Sequence, residues 1–297
     1  MADIKLIKQL REMTQAGFLD CKKALEKHND NLEAAVKELR EKGLAKAAKK
    51  AGAIAAEGVI AIANHTKGGA VIAEINSQTD FAAKNENFVK FTNDVMGLLS
   101  QTEETNFEAV KQAKLANGET LQMASDAITG KIGEKIGLRR FARVVATGEQ
   151  DIGIYLHNNK RYGSIVLFDK KVDDQLKKNI AMHIVAYNPK FVDSTQVDAK
   201  FLELEKSILA KNAQTNPKFA GKPAAMIENI VNKQLQKRCA EVCLVDQNYD
   251  FQEGAKVGQV LNAKGVKVIS FVRYEVGEGI EKKEQNFAEE VAQQMGK

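Results

Sequence analysis

Two stretches of the chain repeat one order of hydrophobic patterns, an alternating hairpin followed by a helix. In the first, GVIAIAN and GAVIAEIN flank the turn HTKGG; in the second, DIGIYLH and SIVLF flank NNKRYG. Alternation with a period of two predicts paired strands, and apolar residues three or four apart predict a helix face. The helix faces carry Phe88, Phe91, Val95 and Leu98 after the first hairpin, and Leu176, Ile180, His183 and Ile184 after the second. The pattern predicts an α+β core of two related subdomains, each with an antiparallel sheet.

Three shorter apolar stripes precede the first hairpin and predict an N-terminal three-helix module. The stripes are Ile4, Leu6, Ile7, Leu10 and Met13; Cys21, Ala24 and Leu25; and Leu32, Ala35, Val36 and Leu39. Asp30, three residues before Glu33, resembles a capping box that starts the third helix. Gly43 is a favourable residue just past a helix end, so we expect that helix to stop there. Residues 44–56 then read as a basic helical linker.

Two helical stretches, 196–213 and 223–238, are separated by the breaker QTNPKFAGKP and predict an inserted helical hairpin. Such a hairpin either self-associates or only covers its own domain, and the residues leave both open. We expect the chain to divide into a module with linker (1–54), core subdomain N (55–148), core subdomain C in two parts (149–192 and 239–278), the hairpin insert (193–238) and a C-terminal helical module (279–297) that contains NFAEEVAQQM.

Composition excludes several protein classes. The 297 residues are 28% charged and 44% hydrophobic with a net charge of +5, which is typical of a globular protein and only weak support for nucleic-acid binding. No apolar run approaches the ~18 residues that a membrane span needs. The N-terminus MADIKLIKQL lacks the features of a signal peptide, and three sparse cysteines fit a reducing compartment. We therefore expect a cytoplasmic protein that neither enters membranes nor binds nucleic acid directly.

Sequence motifs for catalysis are absent. The four histidines lack metal-ligand spacing, and neither a nucleophile elbow nor a phosphate-binding loop occurs. Cys239 and Cys243 are expected to be ordinary thiols, and His183 an ordinary core residue. We predict no metal, no cofactor and no enzyme activity, and instead a protein that embraces another protein.

Six blocks of the chain resemble one family, the bacterial translation elongation factors Ts. LREMTQAGFLDCKKAL (10–25), KAAKKAGAIAAEGVI (46–60) and NSQTDFAAKNENF (76–88) occur in the family's order. KIGEKIGLRR, IAMHIVAYNPKF and FVRYEVGEGIEK follow, and the resemblance as a whole extends from about residue 4 to 292. Gln15 departs from the usual glycine of the first block, and Ala82 from the valine that usually follows the Phe of the third.

The resemblance implies a guanine-nucleotide exchange factor for elongation factor Tu, with an N-terminal module similar to ubiquitin-associated domains. It also implies that Thr79, Asp80, Phe81 and Ala82 form a wedge that displaces Mg²⁺ from the partner. We expect one helix to begin at this segment and continue through Leu98, with Asp80 capping it, binding the partner, or both. The residues alone favour a Phe81 that packs in the protein's own core.

The resemblance also implies a platform that grips the partner. Phe18 and Leu19, with Arg11 and Lys22 as polar neighbours, would contact the partner's G domain; otherwise Phe18 and Leu19 are two core residues at a helix start. Ile132 and Gly133 would also contact the G domain, because glycine permits close backbone approach. His157 would contact a second domain of the partner. Without a partner, His157 would be a solvated histidine at a strand end.

Three other functions remain as alternatives at this stage. The basic residues Lys46, Lys49 and Lys50 would suit an RNA- or ribosome-binding protein, whose affinity would fall steeply with salt. An adaptor of the ubiquitin-associated type would explain only the first module. A metal-free enzyme with an unrecognised site is the third.

Overall fold

The N-terminal helices form their own small core, as the apolar stripes predict. In the computed structural model, which describes residues 3–14, 16–219 and 222–281, helix α1 spans Ile4–Thr14, α2 spans Phe18–Lys27 and α3 spans Leu32–Lys50. The cluster between them includes Ile7, Leu10, Cys21, Leu25 and Leu39. Gln15, the departure from the family pattern, lies outside the described residues.

The first core subdomain is a three-stranded sheet covered by helices. Strand β1 spans Glu57–Asn64, β2 Ala70–Ser77 and β3 Gly137–Val144; all neighbours are antiparallel, in the order β1-β2-β3. Between β2 and β3 lie α4 (Asp80–Ala83), α5 (Glu86–Leu99), α6 (Phe107–Gln112) and α7 (Leu121–Ile132). The buried face of α5 carries Phe88, Phe91 and Val95 and packs on β2 residues such as Ile75. The predicted hairpin and helix face are confirmed.

The prediction of one continuous helix that begins at Thr79–Ala82 and runs through Leu98 is wrong. It divides at Lys84 and Asn85 into the four-residue α4 and the longer α5. Asn85 starts the second helix because its side-chain oxygen accepts a hydrogen bond from the backbone N–H of Asn87 at 2.9 Å. The break turns α4 into a separate corner between β2 and α5.

Helix α3 is longer than predicted and begins one residue later. Its N-cap is Asn31, whose side chain accepts from Ala34 N–H at 3.1 Å, whereas Asp30 lies outside the helix at φ 61°. Gly43 does not end the helix; it lies where α3 crosses α7, and a Cβ on Gly130 would come within 2.7 Å of the Gly43 carbonyl oxygen. Residues 44–50, predicted as part of a basic helical linker, are helical and form the last turns of α3, which packs on α7. The prediction of a helix over 51–56 is wrong, because α3 ends at Lys50.

The second core subdomain repeats the sheet. Strand β4 spans Asp151–Leu156, β5 Tyr162–Phe168 and β6 Val268–Glu275, again antiparallel in the order β4-β5-β6. Helix α8 (Asp174–Tyr187) covers this sheet, α9 (Ala199–Thr215) and α10 (Ala224–Val242) form the hairpin, and α11 (Val257–Ala263), which the sequence did not predict, precedes β6. With two such sheets, the predicted α+β fold class is confirmed.

The hairpin of α9 and α10 is held at its base. Phe201 packs edge-on against Phe191, with ring centres 5.4 Å apart, and Arg238 pairs with Glu205 at 3.5 Å. On the same hairpin, Leu204 and Met226 are exposed. Self-association of this hairpin stays a prediction, as do the domain boundaries.

The two sheets pack against each other through a shared aliphatic cluster that includes Ile60, Ile72 and Ile165. Gly163 permits the close approach, because a Cβ there would lie 2.9 Å from Ile60 Cγ2. Beside this cluster, the fully buried carboxylate of Glu74 accepts from four different groups. The donors are Arg139 Nη1 at 2.9 and 3.0 Å, Arg140 Nε at 2.6 Å, Gly277 N–H at 2.8 Å and Asn76 Nδ2 at 3.1 Å. This satisfied ion cluster fixes how the two subdomains meet, since breaking it would leave a buried charge.

Two expectations concern the ends of the chain and membranes. The predicted C-terminal helix NFAEEVAQQM lies outside the described residues. Within the described part, every helix is too short or too polar to span a bilayer.

Candidate functional site

Phe81 lies on the corner formed by α4, with 81% of its surface exposed. The backbone of this corner is nevertheless well fixed. Thr79 Oγ1 accepts the Ala82 N–H at 3.2 Å as the N-cap of α4, and the Ala82 side chain is buried. Burial of Ala82 anchors the inner side of the turn, which leaves Phe81 on its outer side. The expectation that Phe81 packs in the protein's own core is therefore wrong.

Asp80 forms a local ion pair and leaves the capping to Thr79. Its Oδ2 accepts from Lys84 Nζ at 2.7 Å, and this hydrogen bond lowers the pKa of Asp80. The Lys84 ammonium also lies 5.7 Å from the Phe81 ring centre. The predicted cap function of Asp80 is wrong, because the side chain that accepts the first-turn N–H belongs to the preceding residue.

The segment before α4 is joined to the loop that follows α7. Glu134 Oε2 accepts Thr79 N–H at 2.9 Å and Glu134 Oε1 accepts Thr79 Oγ1 at 2.8 Å. Next to this contact, Lys135 N–H donates to Gln78 Oε1 at 3.0 Å. Two short segments more than fifty residues apart are thus joined at adjacent positions. Sequence reasoning missed Glu134, although it belongs to the KIGE motif.

Ile132 and Gly133 stand immediately before Glu134, so the structure places them near the Phe81 corner. Gly133 ends α7 with φ 83°, a left-handed conformation that glycine adopts without strain. A Cβ at this position would meet nothing within 4 Å. The glycine is thus required here by its own backbone conformation, and the space above it is open to a partner.

The N-terminal residue pair is also exposed. Phe18 and Leu19 begin α2 with 47% and 68% of their surfaces accessible, which contradicts the interpretation of them as core residues. Arg11 on α1 is exposed, and Lys22 pairs with Glu26 at 3.9 Å. Since α3 crosses α7 at Gly43 and Gly130, the module that carries these residues is docked on the helix that leads to Gly133.

His157 follows β4 and helps to close the second hairpin. Its backbone N–H donates to the Tyr162 carbonyl at 3.0 Å, and its ring Nδ1 lies 2.8 Å from the Tyr155 hydroxyl. The side chain is half-buried, not freely solvated. Residues on either side of His157 line a groove of about 800 Å³ that Asp80 and Lys84 also line. The structure therefore brings the His157 turn and the Phe81 corner to one concave surface.

Chemical reactivity is low in the described ranges. Among residues 3–14, 16–219 and 222–281, no three His, Cys, Asp or Glu side chains form a group that could hold a metal ion. Burial raises the pKa of Cys243 to about 11 and also raises that of Cys239, so both thiols stay protonated. His183 is buried, with Nε2 3.0 Å from Gln247 Oε1, and burial lowers its pKa. The interpretation of His183 as a core residue is confirmed.

Comparison with known proteins gives one consistent result. A family model described as "Elongation factor TS" matches residues 78–278, more than half of the chain. Elongation factor Ts of Mycoplasmoides gallisepticum is 47% identical over 296 residues, covering 99% of this chain and 100% of that protein. The chain belongs to the elongation factor Ts family. Elongation factor Ts of Spiroplasma citri is 42% identical over 292 residues, with 98% of both chains covered.

Elongation factors Ts are nucleotide exchange factors for elongation factor Tu in translation elongation. Family membership therefore confirms the predicted family, the general function and the partner. Nucleotide exchange makes and breaks no covalent bond, so the prediction that the chain is not an enzyme is confirmed as well.

Proposed function

We propose that Thr79, Asp80, Phe81 and Ala82 form the wedge with which this chain separates two helices of elongation factor Tu. Phe81 inserts between two helices of the G domain, displaces the side that holds Mg²⁺ and so promotes release of GDP, after which GTP loads. The observation that supports this most is the 81% exposure of a phenylalanine on an otherwise well-anchored corner.

The mechanism needs differential binding and no reactive group. A GTPase holds GDP through phosphate contacts and a Mg²⁺ ion that bridges phosphate and protein oxygens. An exchange factor shifts this equilibrium only if it binds the nucleotide-free state better than the loaded state. A phenylalanine suits the task because it buries a large apolar area while only two side-chain torsions need ordering.

The platform residues divide between two domains of the partner in this proposal. Phe18 and Leu19 contact the G domain with Arg11 and Lys22 beside them, and their exposure supports this. Ile132 and Gly133 contact the G domain near Phe81, where the space above Gly133 is open. His157 faces a second domain, supported by its place beside the groove that Asp80 also lines.

Four further properties belong to the proposal. The protein acts in the cytoplasm, does not bind nucleic acid directly and needs no cofactor of its own. It self-associates through residues 193–238, which the exposure of Leu204 and Met226 on the hairpin supports.

The direct test is release of a fluorescent GDP analogue from elongation factor Tu in the presence of Mg²⁺. Phe81→Ala should lose most of the stimulation, about 30-fold or more, because central aromatic contacts are worth about 2 kcal/mol or more at interfaces. The matched control is Phe251→Ala, the same substitution at an exposed phenylalanine outside the site. It should leave release unchanged. Equal release rates for wild type and Phe81→Ala would refute the wedge.

A further inference from the structure

Glu134 makes a two-point contact with a single residue of the wedge. One carboxylate oxygen accepts the Thr79 backbone N–H at 2.9 Å and the other accepts the Thr79 hydroxyl at 2.8 Å. Hydrogen bonds to a carboxylate are about twice as strong as those between neutral groups. Because two oxygens take part, the contact fixes the orientation of Thr79 relative to Glu134 in addition to the distance between them.

The contact decides how Thr79 caps α4. A threonine hydroxyl has one proton and two lone pairs, and here the proton goes to Glu134. A lone pair is then free to accept the Ala82 N–H, which lies 3.2 Å away. If Glu134 were absent, the hydroxyl could rotate its proton elsewhere and the cap would be less well defined.

Helix α4 depends on this support because of its length. Four residues make about one turn, and a single turn is unstable by itself because nucleation costs more than one hydrogen bond returns. The direction of α4 therefore comes from its anchors, which are the cap at Thr79, the buried Ala82 and the Ser77 hydroxyl that donates to the Thr79 carbonyl at 2.8 Å.

The position of Glu134 is itself fixed by the fold. Gly133 ends α7 in the left-handed conformation and turns the chain toward the wedge segment. Immediately after, Lys135 N–H is bound by Gln78 Oε1 at 3.0 Å, which holds the loop in register with residues 78 and 79. A rigid helix end thus holds the carboxylate against the base of α4.

We propose that Glu134 is a positioning residue for nucleotide release: it fixes Thr79, and through Thr79 the direction in which Phe81 leaves the surface. The inference rests on the proposed wedge function of Phe81. A pre-ordered side chain avoids the loss of freedom that a mobile one suffers on insertion. Because the Phe18–Leu19 surface is not changed, Glu134 should influence the maximal rate of release far more than the binding of the partner.

The experiment measures fluorescent-GDP release from elongation factor Tu over a range of concentrations of the full-length chain. Glu134→Ala should lower the maximal rate by about tenfold to a hundredfold, while the half-saturating concentration changes by less than about threefold. Glu108→Ala is the matched control, since that exposed carboxylate pairs with Lys111 within α6. It should behave like wild type.

A change at Thr79 separates positioning from a general structural effect. Thr79→Val removes the hydroxyl contact with Glu134, together with the cap on the Ala82 N–H, and should reduce the maximal rate. If Glu134 acts through Thr79, Glu134→Ala should reduce the rate less in the Thr79→Val background than in wild type. Should Glu134→Ala fail to fold, Thr79→Val tests the same contact.

Failure of the inference and failure of the wedge are distinguishable. A normal maximal rate for Glu134→Ala, together with a strong loss for Phe81→Ala, would overturn the positioning function alone. Full additivity of Glu134→Ala and Thr79→Val would overturn it too. Normal release with Phe81→Ala would overturn both proposals.

Discussion

The crossing of α3 and α7 at two glycines predicts opposite effects for the same substitution. An alanine Cβ at Gly130 would lie 2.7 Å from the Gly43 carbonyl oxygen and 2.8 Å from Gly43 Cα. Both atoms are backbone, so the helices would have to separate. At Gly43, in contrast, an added Cβ meets nothing within 4 Å, and the same holds for Gly97 in α5.

The magnitudes follow from two terms. Replacing glycine by alanine inside a helix stabilises a protein by about 0.5–1 kcal/mol. Overpacking a closely packed site destabilises it by about 1–3 kcal/mol. Gly43→Ala and Gly97→Ala should therefore raise the free energy of unfolding slightly. The free energy of unfolding of Gly130→Ala should be lower than that of Gly43→Ala by about 1–3 kcal/mol, because the two variants differ in the clash.

Urea denaturation followed by helical circular dichroism measures all three variants under the same conditions. Gly130→Ala should also impair GDP release from elongation factor Tu, since α7 leads directly to Gly133 and Glu134. A Gly130→Ala variant as stable as Gly43→Ala would show that the helices do not approach this closely, and would refute the reasoning.

Two other predictions concern the second subdomain. Burial lowers the pKa of His183, so below about pH 6.5 the unfolded chain takes up a proton that the folded chain resists, and stability falls as the pH decreases through that range. The melting temperature of His183→Gln should therefore decline less than that of wild type between about pH 7.5 and 5.5; an equal decline would contradict this. Replacing Leu204 and Met226 together by serine should weaken self-association in sedimentation velocity experiments, and a variant that sediments like wild type would remove the proposed function of the hairpin.

Periodic patterns predicted helices such as α5 because an amphipathic helix buries one face. Phe88, Phe91 and Val95 recur at helical spacing, and this face does pack on the first sheet. The alternating hairpins also pair as expected, although the central strands β2 and β5 are buried on both faces. Local patterns were sufficient wherever local residues decide the structure.

The predictions failed where contacts with a distant segment of the chain determine the local structure. Gly43 has the sequence context of a helix end, yet the requirement it meets comes from Gly130, far along the chain. Thr79 could not be connected with Glu134 from spacing, because 55 positions separate them. Asp80 and Thr79 are both good N-caps, and choosing between them needs the break after α4.

The family resemblance supplied what patterns could not. From its residues alone, Phe81 is one more apolar position near a helix start. The structure shows that it is exposed, and family membership identifies a partner to which it is available. The roles of the individual site residues remain predictions for experiment.

The central claim is that the exposed Phe81 acts on the partner, whereas the buried Phe88 in α5 stabilises the fold. The decisive measurement is the free energy of unfolding together with the GDP release rate for Phe81→Ala. We expect stability within about 0.5 kcal/mol of wild type, as for an exposed position, and a release rate reduced about 30-fold or more. Phe88→Ala, at a fully buried position, should instead lose about 3–5 kcal/mol of stability. A Phe81→Ala variant that is destabilised like Phe88→Ala, or that still accelerates GDP release fully, would contradict the account.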